Sequence, residues 1–162
     1  MDLRIGHGFD VHRLEDGLKL TLGGIIVPHT KGCVAHSDGD VLIHAICDAL
    51  LGAAAMRDIG FHFPDTSNEF KNIDSKILLK RTYELLKTKN FEIVNIDSTI
   101  CLQKPKIQQY IPQMIQIIAE TLHEDSEKIS IKATTTEQLG FIGNEEGISA
   151  HAVVLIQKKK TS

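Results

Sequence analysis

Three side chains with metal-ligating chemistry occur in the first part of the chain, Asp10 and His12 in one segment and His44 in another. Residues 3–12 have the pattern of a β-strand, so Asp10 and His12, two positions apart, are expected to point to the same face. His44 lies in a predicted helix over residues 40–55. Two imidazoles and one carboxylate form a three-ligand zinc site with an open fourth position, which is typical of catalytic rather than structural zinc.

The predicted helix around His44 gives this interpretation a physical basis. Asp40, His44 and Asp48 are spaced four residues apart and form one polar stripe on a helix that is otherwise small and apolar. Buried polar side chains of this kind need hydrogen-bonding or charged partners. Either Asp40 or Asp48 could orient His44 by a hydrogen bond to the ring nitrogen that does not bind the metal. Spacing alone leaves a second interpretation open, a histidine satisfied by ordinary core or surface contacts.

The other histidines separate into two groups. His36 and His62 lie in segments rich in Gly, Asp and Pro, and they are candidates for contact with a substrate. Ordinary structural or surface positions are predicted for His7, His29, His123 and His151.

Turn and capping signals define the elements that must position these residues. Gly23-Gly24 between apolar pairs predicts a hairpin within residues 19–27. Asp38 or Asp40 is predicted to cap the helix that carries His44.

The rest of the chain alternates between helical and strand patterns. The predicted elements are a loop over 57–72, helices over 74–89 and from Pro112, and strands over 92–102, 129–134 and 148–157. One face of the strand over 92–102 is predicted to carry Val94, Ile96, Ile100 and Leu102. This order of elements predicts an α+β fold in which helices pack on one side of a sheet.

Length, composition and charge indicate an ordinary globular protein. The 162 residues suit one domain, 42% of them are hydrophobic and 24% charged, and the net charge of −3 argues against a nucleic-acid partner. The basic run Lys158-Lys159-Lys160 is interpreted as a solvated tail. No apolar run reaches the ~20 residues that span a bilayer. Cys33, Cys47 and Cys101 form no Cys-x-x-Cys pair, which favours a reducing, cytoplasmic environment.

Longer motifs around these residues resemble the family of 2-C-methyl-D-erythritol 2,4-cyclodiphosphate synthases. The resemblance runs from residue 4 to residue 150 in the family's order. It is carried by Arg4 to His12, Ala35 to His44, Asp48 to Ala53, Asp58 to Thr66, and Lys132 to Phe141.

The resemblance implies a reaction of the non-mevalonate isoprenoid pathway. In that reaction the 2-phosphate of 4-diphosphocytidyl-2-C-methyl-D-erythritol 2-phosphate attacks the β-phosphorus of the cytidine diphosphate arm. CMP leaves and a cyclic diphosphate remains, so the enzyme is a phosphorus–oxygen lyase. The resemblance also implies a homotrimer with mixed sheets around a central axis and active sites shared between neighbouring subunits.

The resemblance also assigns roles to individual residues. It implies Zn²⁺ on Asp10, His12 and His44, and a second divalent cation, Mg²⁺ or Mn²⁺, bound with substrate at Glu137. His36 and Thr135 match residues that stabilise the transition state. The implied substrate-binding residues are Asp10, His12, His36, Ser37, Asp58, Ile59, Gly60, Phe63, Pro64, Asp65, Thr66, Ser67, Leu102, Gln103, Lys104, Pro105, Lys106, Ile107, Gln108, Lys132, Thr134, Thr135, Thr136, Glu137, Phe141 and Asn144. Without the resemblance, the loop residues among them are typical turn formers, and the threonines are typical of strand ends.

Three positions depart from the family pattern. Asn144 stands where Arg is usual, Glu145 where Gly is common, and Arg57 where Gly is customary. The loss of the Arg would weaken a phosphate clamp by about 1.5–3 kcal/mol and puts in doubt an isoprenoid diphosphate on the trimer axis. Two rival functions remain open, a zinc phosphohydrolase with water as nucleophile and a non-enzymatic trimeric protein that binds an isoprenoid diphosphate.

Overall fold

A five-stranded mixed sheet forms the centre of the protein, as described by a computed structural model over residues 2–159. Its strands are β1 (Leu3–Asp16), β4 (Lys31–Cys33), β5 (Phe91–Cys101), β6 (Ile129–Thr134) and β7 (Gly147–Lys158), in the order β4-β1-β7-β5-β6. β5 and β6 run parallel, and the other neighbouring pairs are antiparallel. A separate two-stranded hairpin consists of β2 (Leu20–Leu22) and β3 (Ile25–Val27).

The helices cover one face of this sheet and leave the other uncovered. The covering helices are α1 (Val41–Ala53), α3 (Ser75–Thr88) and α4 (Ile111–Leu122). Two short helices, α2 (Ile59–His62) and α5 (Gly140–Gly143), contact α1 and β7, respectively. Residues of β7 that face the helices, such as Ala150, Val154 and Ile156, are fully buried. The predicted α+β fold, with helices packed on one face of the sheet, is confirmed.

The uncovered face of the sheet is apolar along β1 and β7. Ile5 is 73% exposed, Phe9 46%, Val11 43% and Val153 44%. A contiguous group of large apolar side chains on a sheet face indicates an interaction surface rather than a solvated one.

Two glycines of β1 allow α1 to lie unusually close to the sheet. A Cβ atom at Gly6 would lie 1.9 Å from the carbonyl oxygen of Ala49, and one at Gly8 would lie 1.9 Å from that of Ala45. Because neither glycine has a side chain, the helix backbone contacts the strand directly. The close approach places His44, which precedes Ala45, beside the strand positions that follow Gly8.

Most predicted elements are present, with differences that have local causes. β1 continues four residues beyond the predicted end at 12, and β4, with only three residues, is too short to show a pattern. The predicted loop over 57–72 contains α2 and a 3₁₀ turn over Asn68–Phe70. Of the two predicted caps, Asp40 caps α1 by accepting the N–H of Ile43 at 3.1 Å.

The prediction that Val94 shares a strand face with Ile96 and Ile100 is wrong. The pairing of β5 with β7 shifts between Ile93 and Asn95, which marks a β-bulge. A bulge inserts one residue and reverses the alternation on one side of it. Ile93 therefore faces the core, whereas Ile96 and Ile100 keep their predicted positions.

Lys160 of the predicted basic tail lies outside the described residues. Within the described part, no helix combines the length and apolarity needed to cross a membrane.

Candidate active site

The three predicted ligands come together at the junction of β1 and α1. Asp10 Oδ2 lies 3.0 Å from both His12 Nε2 and His44 Nδ1, and the two imidazole nitrogens lie 3.2 Å apart. All three donor atoms fall within 4.8 Å of one another. Asp10 and His12 share a face of β1, as the spacing predicts, and the close packing of α1 brings His44 to them.

The electrostatics of the group suit a cation. Burial raises the pKa of Asp10, but hydrogen bonds with His12 and His44 outweigh burial and lower that pKa to about 2. Burial lowers the pKa of His44, yet the hydrogen bond and negative charge of Asp10 leave it above its ordinary value. A metal ion would displace the proton that His44 shares with Asp10. An ionised carboxylate and two imidazoles at this separation fit zinc with one position open.

The side chains that contact His44 on the side away from Asp10 and His12 differ from those predicted. Its Nε2 atom lies 3.1 Å from the hydroxyl of Ser37 and 3.0 Å from the hydroxyl of Ser75. The expectation that Asp40 or Asp48 orients His44 is wrong. Each of these carboxylates accepts hydrogen bonds from backbone N–H groups instead.

Asp40 and Asp48 join α1 to the segments beside it. Asp40 is fully buried and accepts the N–H groups of Gly23 at 3.0 Å and Gly24 at 2.6 Å, in addition to capping α1. Burial raises its pKa, although these donors partly offset the effect. Asp48 accepts the N–H of Ile59 at 2.7 Å. Asp40 therefore anchors the β2–β3 hairpin, and Asp48 anchors the start of α2.

A cleft of about 310 Å³ opens next to the donor group. Among the predicted substrate-binding residues, its walls include His12, His36, Ser37, Ile59, Gly60, Phe63 and Asp65. Asp58 caps α2 by accepting the N–H of Phe61 at 2.9 Å. Pro64, Thr66 and Ser67 continue the loop after α2, and the carbonyl oxygen of Ser67 contacts His36 Nε2 at 3.3 Å.

His62, at the end of α2, contacts the chain that precedes α2. Its Nε2 contacts the carbonyl oxygen of Met56 at 2.7 Å. This contact gives His62 a structural role, and His62 is not among the cleft residues. Its predicted contact with a substrate stays a prediction.

The other predicted residues form a second group at the ends of β5 and β6. The N–H of Leu102 donates to the carbonyl of Thr134 at 2.9 Å, and the Thr135 hydroxyl donates to Glu137 Oε1 at 3.3 Å. The segments that continue from these two strand ends contain Gln103, Lys104, Pro105, Lys106, Ile107, Gln108 and Thr136. Lys132 contacts Asp97 on the uncovered face of the sheet.

The two groups are separated across the sheet. Asp10 pairs with Ala150, Ala150 with Ile100, and Ile100 with Ala133, so three strand spacings lie between β1 and β6. That separation is about 14 Å. Within residues 2–159, the donor group consists of Asp10 and the two histidines, and Glu137 lies outside it.

Backbone geometry explains two of the departures from the family pattern. Arg57 has φ +69° and Glu145 has φ +59°, conformations that favour glycine. The Arg57 guanidinium stacks 4.1 Å from the centre of the Phe61 ring, and the Glu145 carboxylate pairs with Lys104 at 2.9 Å. Each side chain thus makes a contact that offsets the backbone strain of a positive φ angle. Phe141 lies in α5, and Asn144 ends that helix.

Comparison with known proteins connects this architecture to characterised relatives. A family model described as the YgbB family matches residues 3–157. The chain is 62% identical over 158 residues to the 2-C-methyl-D-erythritol 2,4-cyclodiphosphate synthase of Bacteroides fragilis, covering 98% of this chain and 99% of that protein.

Solved structures show the same fold. The bifunctional IspDF from Campylobacter jejuni superposes with a TM-score of 0.95 at 43% identity, over 98% of this chain. This chain spans 43% of that longer protein. IspF from Plasmodium falciparum in a CDP complex superposes with a TM-score of 0.86 at 35% identity, over 98% of both chains.

The fold and the site define an α+β protein in which three side chains that could hold a metal ion lie beside a cleft of about 310 Å³. The chain belongs to the YgbB family, and its Bacteroides fragilis relative named above is a 2-C-methyl-D-erythritol 2,4-cyclodiphosphate synthase.

Proposed function

We propose that the chain is a single cyclodiphosphate synthase domain acting in the cytoplasm. It converts 4-diphosphocytidyl-2-C-methyl-D-erythritol 2-phosphate to 2-C-methyl-D-erythritol 2,4-cyclodiphosphate with release of CMP. The observation that carries the proposal is the donor group of Asp10, His12 and His44 opening onto a cleft lined by the residues assigned to substrate. The CDP complex of the Plasmodium falciparum relative supports a cytidyl nucleotide as part of the substrate.

The reaction needs positioning more than it needs a base. The attacking 2-phosphate oxygen is already ionised at neutral pH, so no side chain has to activate it. Phosphoryl transfer depends mainly on in-line placement and on neutralisation of charge. Zinc at the three donors would supply Lewis-acid polarisation of a phosphate oxygen.

Several residues can contribute to positioning the substrate and neutralising its charge. His36 and Ser37 line the cleft next to the donor group, where they can bind the 2-phosphate. The N–H groups and carboxylates around α2 can orient the erythritol hydroxyls. The second divalent cation, Mg²⁺ or Mn²⁺, is assigned to Glu137, and Thr135 beside it would donate to the diphosphate.

A homotrimer would complete the site. Thr135 and Glu137 follow the end of β6, which lies three strand spacings, or about 14 Å, from β1 and the donor group. The uncovered apolar face of β1 and β7 offers a surface for other copies of the chain. Packing three such faces around an axis could bring the second group of one subunit to the donor group of another.

A charge on the uncovered face should dissociate this assembly. Ile5→Asp is expected to weaken association at least about 10²-fold, because a carboxylate would be buried without a partner. Ile26→Asp is the control, since Ile26 is 60% exposed on the separate β2–β3 hairpin. Light scattering coupled to size exclusion gives the mass of each variant. A trimeric Ile5→Asp protein would contradict the proposed interface.

Product analysis tests the function itself. Purified protein is incubated with the cytidyl substrate, Zn²⁺ and Mg²⁺, and the products are followed by ³¹P NMR. Cyclic diphosphate together with CMP is the expected result. Linear phosphate products would instead support a zinc phosphohydrolase, and an unchanged substrate would favour a binding protein.

A further inference from the structure

The two ring nitrogens of His44 face different surroundings. Nδ1 points to Asp10 Oδ2 and His12 Nε2, the other two donor atoms. Nε2 points away from them, to the hydroxyls of Ser37 and Ser75. If a metal binds this group, Nδ1 is therefore the ligand atom, and Nε2 must carry the ring proton.

Ser75 is held so that it can only accept from His44. It is the first residue of α3 and is fully buried. Its backbone N–H donates to Asp38 Oδ2 at 2.9 Å, and its hydroxyl donates to Asp38 Oδ1. Because a serine hydroxyl has one proton and Asp38 receives it, the Ser75 oxygen presents lone pairs to His44 at 3.0 Å.

Ser37 can also accept a hydrogen bond from His44 Nε2–H. Ser37 Oγ accepts the N–H of Gly39 at 3.2 Å and retains a free lone pair for His44. Its proton can then turn toward the cleft that Ser37 lines.

We propose that Ser75 and Asp38 are positioning residues that hold His44 in its Nε2–H form and so present Nδ1 to the metal. The inference rests on the proposed metal site. Asp38 also accepts the N–H of Asp40 at 3.2 Å, so the same carboxylate connects the start of α1 with the start of α3. Hydrogen bonds of this kind raise the affinity of a ligating histidine and fix its ring orientation.

Ser75→Ala tests the inference through zinc affinity and through the imidazole itself. Zinc binding, measured by chelator competition, is expected to weaken about 10- to 100-fold. In zinc-loaded wild-type protein, ¹⁵N NMR should show a slowly exchanging His44 Nε2–H, and this signal should be lost in Ser75→Ala. Ser75→Thr, which keeps the hydroxyl, should restore both. Asp38→Asn is an independent variant, because an amide cannot accept both Ser75 donors, and it should weaken zinc binding in the same range.

Asp74→Ala is the matched control. Asp74 caps the same helix by accepting the N–H of Lys76 at 2.9 Å, and no hydrogen bond joins it to His44 in the described chain. This variant should lower the melting temperature while leaving zinc affinity and the His44 signal unchanged. Wild-type zinc affinity in Ser75→Ala, or an equal loss in Asp74→Ala, would overturn the inference. Wild-type protein that binds no zinc at His44 would instead overturn the proposed metal site.

Discussion

His44→Ala is expected to abolish zinc binding and to lower turnover at least about 10³-fold while the chain stays folded. The variant removes one of three donors, and the loss corresponds to several kcal/mol of charge stabilisation in phosphoryl transfer. Alanine has the highest helix propensity, so α1 itself should persist. Elemental analysis gives the zinc-to-protein ratio, and the rate of CMP release gives the turnover.

His123→Asn provides the control for this loss. His123 is exposed at the end of α4 with φ +54°, a conformation that asparagine tolerates. This variant removes an imidazole that belongs neither to the donor group nor to the cleft, and it should keep full zinc content and turnover. Full zinc occupancy in His44→Ala would exclude His44 from the ligand set.

Gly8→Ala should disrupt both the fold and the metal site. The added Cβ would lie 1.9 Å from the carbonyl oxygen of Ala45, so α1 would have to move by about 1 Å or more. Overpacking of a core usually costs 1–3 kcal/mol, and we expect about 3 kcal/mol or more because the contact is with backbone. His44 is the neighbour of Ala45, so the same displacement should weaken zinc binding. Denaturant unfolding and chelator competition measure the two effects.

Gly52→Ala is the matched substitution within α1. A Cβ at Gly52 would meet no atom within 4 Å, and alanine in a helix is favoured over glycine by about 0.5–1 kcal/mol. This variant should be as stable as the original chain or more so. If Gly8→Ala were equally stable, the direct contact between β1 and α1 would not exist.

Local patterns in the sequence predicted most of the elements and the three residues of the donor group. Alternation placed Asp10 and His12 on one strand face, and apolar periodicity placed His44 on a buried helix. Both depend on backbone geometry within a few residues. The bulge in β5 interrupted that rule, and this is why Val94 was wrongly predicted to share a face with Ile96 and Ile100.

The tertiary structure decided which residues meet across long distances in the chain. Asp38 was predicted only as a possible helix cap and Ser75 carried no prediction, yet Ser75, 37 residues from Asp38, contacts both Asp38 and His44 Nε2. The separation of Glu137 from the donor group likewise depends on strand order, because β7 and β5 lie between β1 and β6. The sequence by itself determined the residue types and local faces, whereas the packing of α1 on two glycines and the order of strands determined which of them form one site.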